Sequence, residues 1–200
     1  MASVNEQIVR EYLETLGFFV IQPTRYQVAA RKKTAVEEID LLINRPEHGD
    51  GKLPAPGLWG TEQLRAVDRA VVSVRGWHTD RFSPAVLEKS PELLRFTDAD
   101  VMKQAERFLG RGPTARILCI SDLPASKNMQ SRVIEQFVEH GVSGVVLFRD
   151  ILMELLSDID VKHNYEKSDI MQILRILKNY GLLRDPQMEL FARRGRGTKS

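Results

Sequence analysis

Asp40, Ser73 and Arg75 are the residues whose types and placement best suit chemistry in this sequence. Asp40 interrupts the apolar run Ile39-Asp40-Leu41-Leu42-Ile43, and an acid in such company needs a partner. The stretches Val36–Asn44 and Ala70–Arg75 both read as strands, in which side chains alternate faces. Ile39, Leu41 and Ile43 are then expected on one face, with Glu38 and Asp40 on the other, about 7 Å apart. In the second strand Ser73 and Arg75 oppose Val72 and Val74. Pairing the strands with polar faces aligned sets Asp40 beside Ser73 and Arg75. That group suits a divalent metal and a phosphate; its plainer reading is an Asp40–Arg75 ion pair.

The other candidates each have a plainer reading beside the chemical one. Glu6 follows Ser3 by three residues, the spacing of a helix capping box. Glu37 and Glu38 can serve as charges that guard a strand edge. Trp77 reads as core rather than a stacking platform. His78 has no second histidine at zinc spacing. Lys103 and Gln104 face either the same cleft as Asp40 or open solvent. A Gly-rich phosphate loop and a nucleophile elbow are both missing, and Cys119 lies in an apolar run unsuited to a reactive thiol.

Composition bounds these readings. Two hundred residues, 42% hydrophobic and 28% charged, suit one domain with a small appendage. No run of about 18 apolar residues is present, and the first residues lack the pattern of a secretory leader. One cysteine excludes an internal disulfide, so a cytoplasmic protein is expected. The net charge is only +2, but Arg193, Arg194, Arg196 and Lys199 crowd the end of the sequence. Such a tail, over 185–200, is expected to be flexible and either touches a polyanion or is simply solvated.

Helical periodicity runs over Ser3–Gly17, then Phe18–Ile21 and Arg25–Ala30 read as extended. The Val36–Asn44 strand comes next. Pro46, Gly49, Gly51, Pro54, Pro56, Gly57 and Gly60 mark 44–69 as a long inserted loop, with Leu58 and Trp59 covering part of the core. After the Ala70–Arg75 strand, Ser83-Pro84 and Ser90-Pro91 resemble helix starts. A helix is expected from Thr97 to about Leu109, a buried strand at 116–120, and a helix over about Asn128–His140. Val142–Phe148 reads as a strand and Asp150–Leu156 as a short helix. A helix from Ser168 to Gly181 closes the pattern, either packing on the domain or as a remnant winged-helix element. The order implies an α/β protein with a central mixed sheet flanked by helices, antiparallel early and parallel late.

This order, helix, three strands, helix, strand, together with the Glu38-Ile39-Asp40 and Val72-Ser73-Val74-Arg75 stretches, resembles the PD-(D/E)XK, or restriction-endonuclease-like, nuclease superfamily. The resemblance covers roughly Ser3 to Leu156. It implies an αβββαβ core over 1–157 carrying the 44–69 insertion, a helical extension over 158–184 and the basic tail. In that superfamily an aspartate and a second acidic residue bind magnesium, and a lysine two positions on orients water. Asp40 matches the aspartate; Ser73 replaces the acid and Arg75 the lysine.

Both departures change the chemistry open to the site. A serine hydroxyl is a poorer ligand for a hard cation than a carboxylate, so an active site would need Glu38 or Glu6 to complete a Mg or Mn site with Asp40. Arg75 grips phosphate and stays protonated, so it stabilises charge but cannot act as a base. The expected function is a nuclease-fold protein that binds nucleic acid, DNA first, through Arg75, His78, Lys103 and the tail, with a degenerate metal site. Metal-dependent phosphodiester hydrolysis is one alternative. Another is a protein-interaction scaffold that uses Leu58–Trp59, and a homodimer is compatible with each.

Overall fold

A computed structural model describes residues 3–23, 34–45, 52–76, 82–83 and 89–183. The chain opens with helix α1 (Val4–Thr15), strand β1 (Phe19–Ile21) and strand β2 (Leu41–Asn44). The inserted segment contributes β3 (Gly57–Leu58) and α2 (Thr61–Arg65), and β4 (Arg69–Arg75) comes after it. Beyond a 3-10 turn at Pro91–Thr97 come α3 (Ala99–Leu109), β5 (Ala115–Ile120), α4 (Lys127–Glu139), β6 (Gly144–Leu147), α5 (Phe148–Asp158) and α6 (Asp169–Asn179).

The six strands form one mixed sheet in the order β1-β2-β4-β5-β6-β3. β2 pairs antiparallel with both β1 and β4, whereas β4, β5, β6 and β3 are mutually parallel. The expected fold class is therefore present, antiparallel early and parallel late. Because β2 alone runs opposite to the other five strands, its first residues lie level with the C-terminal half of β4. That reversal brings Asp40 to the strand ends where open α/β sheets place ligands.

Each face of the sheet is closed by its own apolar layer. Leu41, Ile43, Val72, Val74, Ile117, Cys119 and Val146 point toward α1, α5 and α6, joined by Trp59 and Leu64 of the inserted segment. Leu42, Val71, Leu118, Ile120 and Val145 point the other way, against α3, α4 and the Pro91–Thr97 turn. The closing helix α6 packs Met171 and Leu174 into the first layer. It is a packing helix, one of the two roles its sequence allows. No helix among the described residues is long and apolar enough to cross a membrane.

The structure departs from expectation in two places. The run Val36–Asn44 is not one strand: Val36–Glu38 is a 3-10 turn, and the strand begins only at Leu41. The cause is local, since the N–H and hydroxyl of Thr34 donate to Glu37 Oε2 at 2.6 and 2.7 Å and close the turn. Alternation therefore does not extend back to Glu38. Ile39 packs in the opposite layer from Leu41 and Ile43. The 44–69 insertion, read as loop, instead supplies an edge strand. Gly57 N–H donates to Ser143 O and Trp59 N–H to Val145 O, at 3.2 and 2.8 Å, which docks β3 against β6. Trp59 is buried while Leu58 is 51% exposed, so only the first of that pair covers the core.

Candidate functional site

Asp40 sits one residue before β2, where the register Leu41↔Val72 sets it across from Ser73. Its Oδ2 receives three donors from β4. Val74 N–H lies at 2.7 Å, Ser73 Oγ at 3.1 Å and Arg75 Nη1 at 2.7 Å. Arg75 Nη1 also donates to Val74 O at 3.1 Å. Ser73 is fully buried, and the Asp40 and Arg75 side chains are 13% and 14% exposed. The juxtaposition expected from the sequence is thus present, and its form is a nearly buried charge-assisted cluster centred on one carboxylate oxygen.

The N-terminus of α1 adjoins this cluster. Asn5 Nδ2 donates to Gly76 O at 3.0 Å, tying the helix to the end of β4. Ser3 Oγ accepts from Glu6 N–H at 3.2 Å and donates to Glu6 Oε1 at 3.1 Å, so the capping role of Glu6 is realised. Gln22 donates to Glu6 Oε2 at 2.7 Å. Burial pushes the Glu6 carboxyl above its ordinary range, and the negative charge of Asp40 adds to the rise. Glu6 therefore belongs to the same electrostatic neighbourhood as Asp40. Behind the sheet, burial first and Asp40 second push the Cys119 thiol up to about 12, which keeps it protonated and inert.

Glu38 faces elsewhere. It is buried, and it forms an ion pair at 3.8 Å with Arg95, from the Pro91–Thr97 turn. The expectation that Glu38 shares a strand face with Asp40 fails together with the strand. Lys103 is an exposed residue of α3 in an ion pair with Asp100 at 3.3 Å. Trp77, His78, Arg193, Arg194 and Arg196 lie outside the described residues, as does the Arg25–Ala30 run. Asn5 and Gln22 were missed in the sequence. Their only sequence signal is a polar residue near a helix start or strand end, which does not reveal a partner 71 residues away for Asn5 or 16 for Gln22.

The donor set does not fit a hard divalent cation. Magnesium takes oxygen ligands in near-octahedral geometry, usually from more than one carboxylate. Here Asp40 Oδ2 is already occupied by a guanidinium, a hydroxyl and an amide. Among the described residues no group of three or more His, Cys, Asp or Glu side chains is placed to hold a metal ion. Two clefts, of about 340 Å³ between α1 and the start of α6 and about 200 Å³ beside Trp59, are lined by residues other than Asp40, Ser73 and Arg75.

Fold and site together define an α/β protein with a mixed sheet and a carboxylate–guanidinium cluster at the C-terminal strand ends. No family model, curated protein or solved structure matches the chain.

Proposed function

We propose that this chain is a nuclease-like α/β domain that binds nucleic acid without hydrolysing it. The reading rests on the order α1-β1-β2-β4-α3-β5, with the inserted β3 and α2 set aside, which follows the helix-strand-strand-strand-helix-strand pattern of the PD-(D/E)XK superfamily. The single observation that carries the loss of hydrolysis is the triple donation onto Asp40 Oδ2. A residue that would serve as a metal ligand instead neutralises Arg75 and ties β2 to β4. A guanidinium at this position grips phosphate but has no proton-accepting role to offer.

Hydrolysis is the second reading, and Glu6 favours it. Burial raises the pKa of its carboxyl and the charge of Asp40 raises it further, and a cation would relieve that second contribution. Purified protein incubated with plasmid, single-stranded DNA and RNA in magnesium or manganese separates the two. Retention that weakens steeply with salt, without turnover, is expected. Cleavage that disappears in Asp40→Ala would overturn the non-hydrolytic reading. Cleavage that persists in Asp40→Ala marks a contaminant, and absence of any retention removes nucleic acid as the partner.

A further inference from the structure

Charge on the described residues is divided between the two ends of the sheet. Near the C-terminal ends of β4, β5 and β6 stand Glu6, Asp40, Asp122 and Asp150. Burial raises the pKa of Asp150, and Asp122 contributes to that rise despite Arg149. The acids at this end are therefore crowded enough to feel one another. Among the described residues Arg75 is committed to Asp40, and Arg149 lies close enough to Asp150 to offset part of its rise. A polyanion gains little there.

The opposite end holds arginines from five places in the chain. Asn44 pairs with Arg69, so Arg45 and Arg69 leave β2 and enter β4 side by side. Arg45 donates to the carbonyl of Arg65 at the end of α2 and, at 3.2 Å, to that of Leu16 after α1. Arg69 Nη1 donates to Arg111 O at 2.5 Å, joining the turn after α3. Arg116 pairs with Val71 on the neighbouring strand, one pleat in from Arg69 on the same face. Among the described residues none of these five is in an ion pair. Asp68 and Glu62 are acids in the same segment, and Asp68 Oδ1 is buried without a hydrogen-bond partner among the described residues.

We infer that this arginine end is the surface on which the chain holds nucleic acid, through backbone phosphates. The inference rests on the nucleic-acid reading above and moves the contact to the end of the sheet opposite Asp40. Neutralising helix C-termini explains Arg45 and Arg69, which bond to carbonyls at or just after the ends of α1, α2 and α3. It does not explain Arg65 and Arg111, which are exposed residues. Guanidinium forks match phosphate oxygens in pairs. Arg65 and Arg111, whose carbonyls are held by Arg45 and Arg69, are then placed to meet separate phosphates of a duplex that carries one charge per roughly 1.7 Å.

The test uses the full chain and labelled duplex and single-stranded oligonucleotides. Arg65→Glu/Arg111→Glu is compared with Arg149→Glu/Lys167→Glu, which makes the same change in net charge away from the arginine end. Circular dichroism establishes that each is folded. The arginine-end variant is expected to lose about tenfold or more in affinity and about two units of salt slope, since each lost phosphate contact removes roughly 0.9. The other variant should keep most of both. Equal losses in the two variants, or none in the first, would overturn the assigned surface while leaving nucleic-acid binding in place. A wild-type chain that binds no oligonucleotide would overturn both readings. Polyglutamate held as tightly as DNA, with the same loss in the first variant, would reassign the surface to an acidic protein.

Discussion

The guanidinium of Arg75 and the carboxylate of Asp40 meet at 2.7 Å across the β2–β4 junction, with nearly all of both side chains withdrawn from water. Removing one member leaves the other charge desolvated and unmatched, which for buried pairs costs about 3–5 kcal/mol. Arg75→Met is therefore expected to lose about 3 kcal/mol of stability, and Asp40→Asn/Arg75→Met much less than the sum of its single changes. Urea unfolding of the four proteins in the cycle measures it. Additive costs would show that the pair is not coupled.

Ser73 makes a smaller but separable contribution. Its hydroxyl is fully buried and donates to Asp40 at 3.1 Å. Ser73→Ala removes one of three donors from an acceptor that keeps the other two, so the expected loss is about 1 kcal/mol. Ser73→Val puts an apolar branch against the carboxylate and should cost more. The order Val worse than Ala, read from urea midpoints, distinguishes lost polarity from lost volume.

Arg45 is expected to matter as much as a core residue although it lies at the end of a strand. Its guanidinium reaches carbonyls at the ends of α1 and α2 and stacks 4.8 Å from the Phe18 ring centroid. A cation at a helix C-terminus is worth roughly 0.3–1 kcal/mol, and a cation–π contact adds a similar amount. Arg45→Met keeps the stem and should lose about 1–2 kcal/mol, whereas Arg45→Lys should recover part of it. Hydrogen exchange at the last turns of both helices should speed up together. Acceleration in only one would show that the arginine does not join them.

The legibility of this fold followed the range of the interactions that made each element. α1, α3, α4 and β5 carry unbroken apolar periodicity, and each stands within a residue or two of its sequence-based bounds. The Asp40–Ser73–Arg75 meeting was legible because strand alternation and one antiparallel pairing are enough to produce it. Glu38 was misplaced because alternation was carried through residues that a side chain had already turned. The Thr34-x-x-Glu37 spacing, a capping signature, was the available warning. β3 was illegible for a different reason. Two residues carry no periodicity, and Gly57–Leu58 is a strand only because β6 lies beside it.

That dependence makes Gly144 a sharp probe. A Cβ built on Gly144 runs into the Trp59 ring, whose indole N–H donates to Ala55 O at 2.9 Å and whose ring is buried. The ring cannot withdraw as a flexible side chain would. Gly144→Ala is therefore expected to cost about 1–3 kcal/mol by overpacking, and to move Trp59 toward water. A red shift of tryptophan emission, with part of the stability restored in Gly144→Ala/Trp59→Leu, is the expected result. Unchanged emission would separate the inserted segment from the β6 edge.

Glu6 gives the acidic end a pH dependence of its own, beside that of Asp150. Its folded-state pKa lies above the ordinary carboxylate range, from burial first and Asp40 second. The folded chain therefore holds this proton more tightly than the unfolded chain does. Stability from this group is fully present below the ordinary value and is lost as pH rises through the raised one. Removing the Asp40 charge should lower the Glu6 pKa while leaving the burial contribution in place. In Asp40→Asn, carbon-detected NMR titration of the Glu6 carboxyl is expected to give a midpoint below the wild-type one and still above that of an exposed glutamate. The decline of stability with rising pH over that window should be shallower in Glu6→Gln than in wild type. A Glu6 midpoint that does not move in Asp40→Asn would place the two carboxylates too far apart to interact, and with that the case for a cation between them would end.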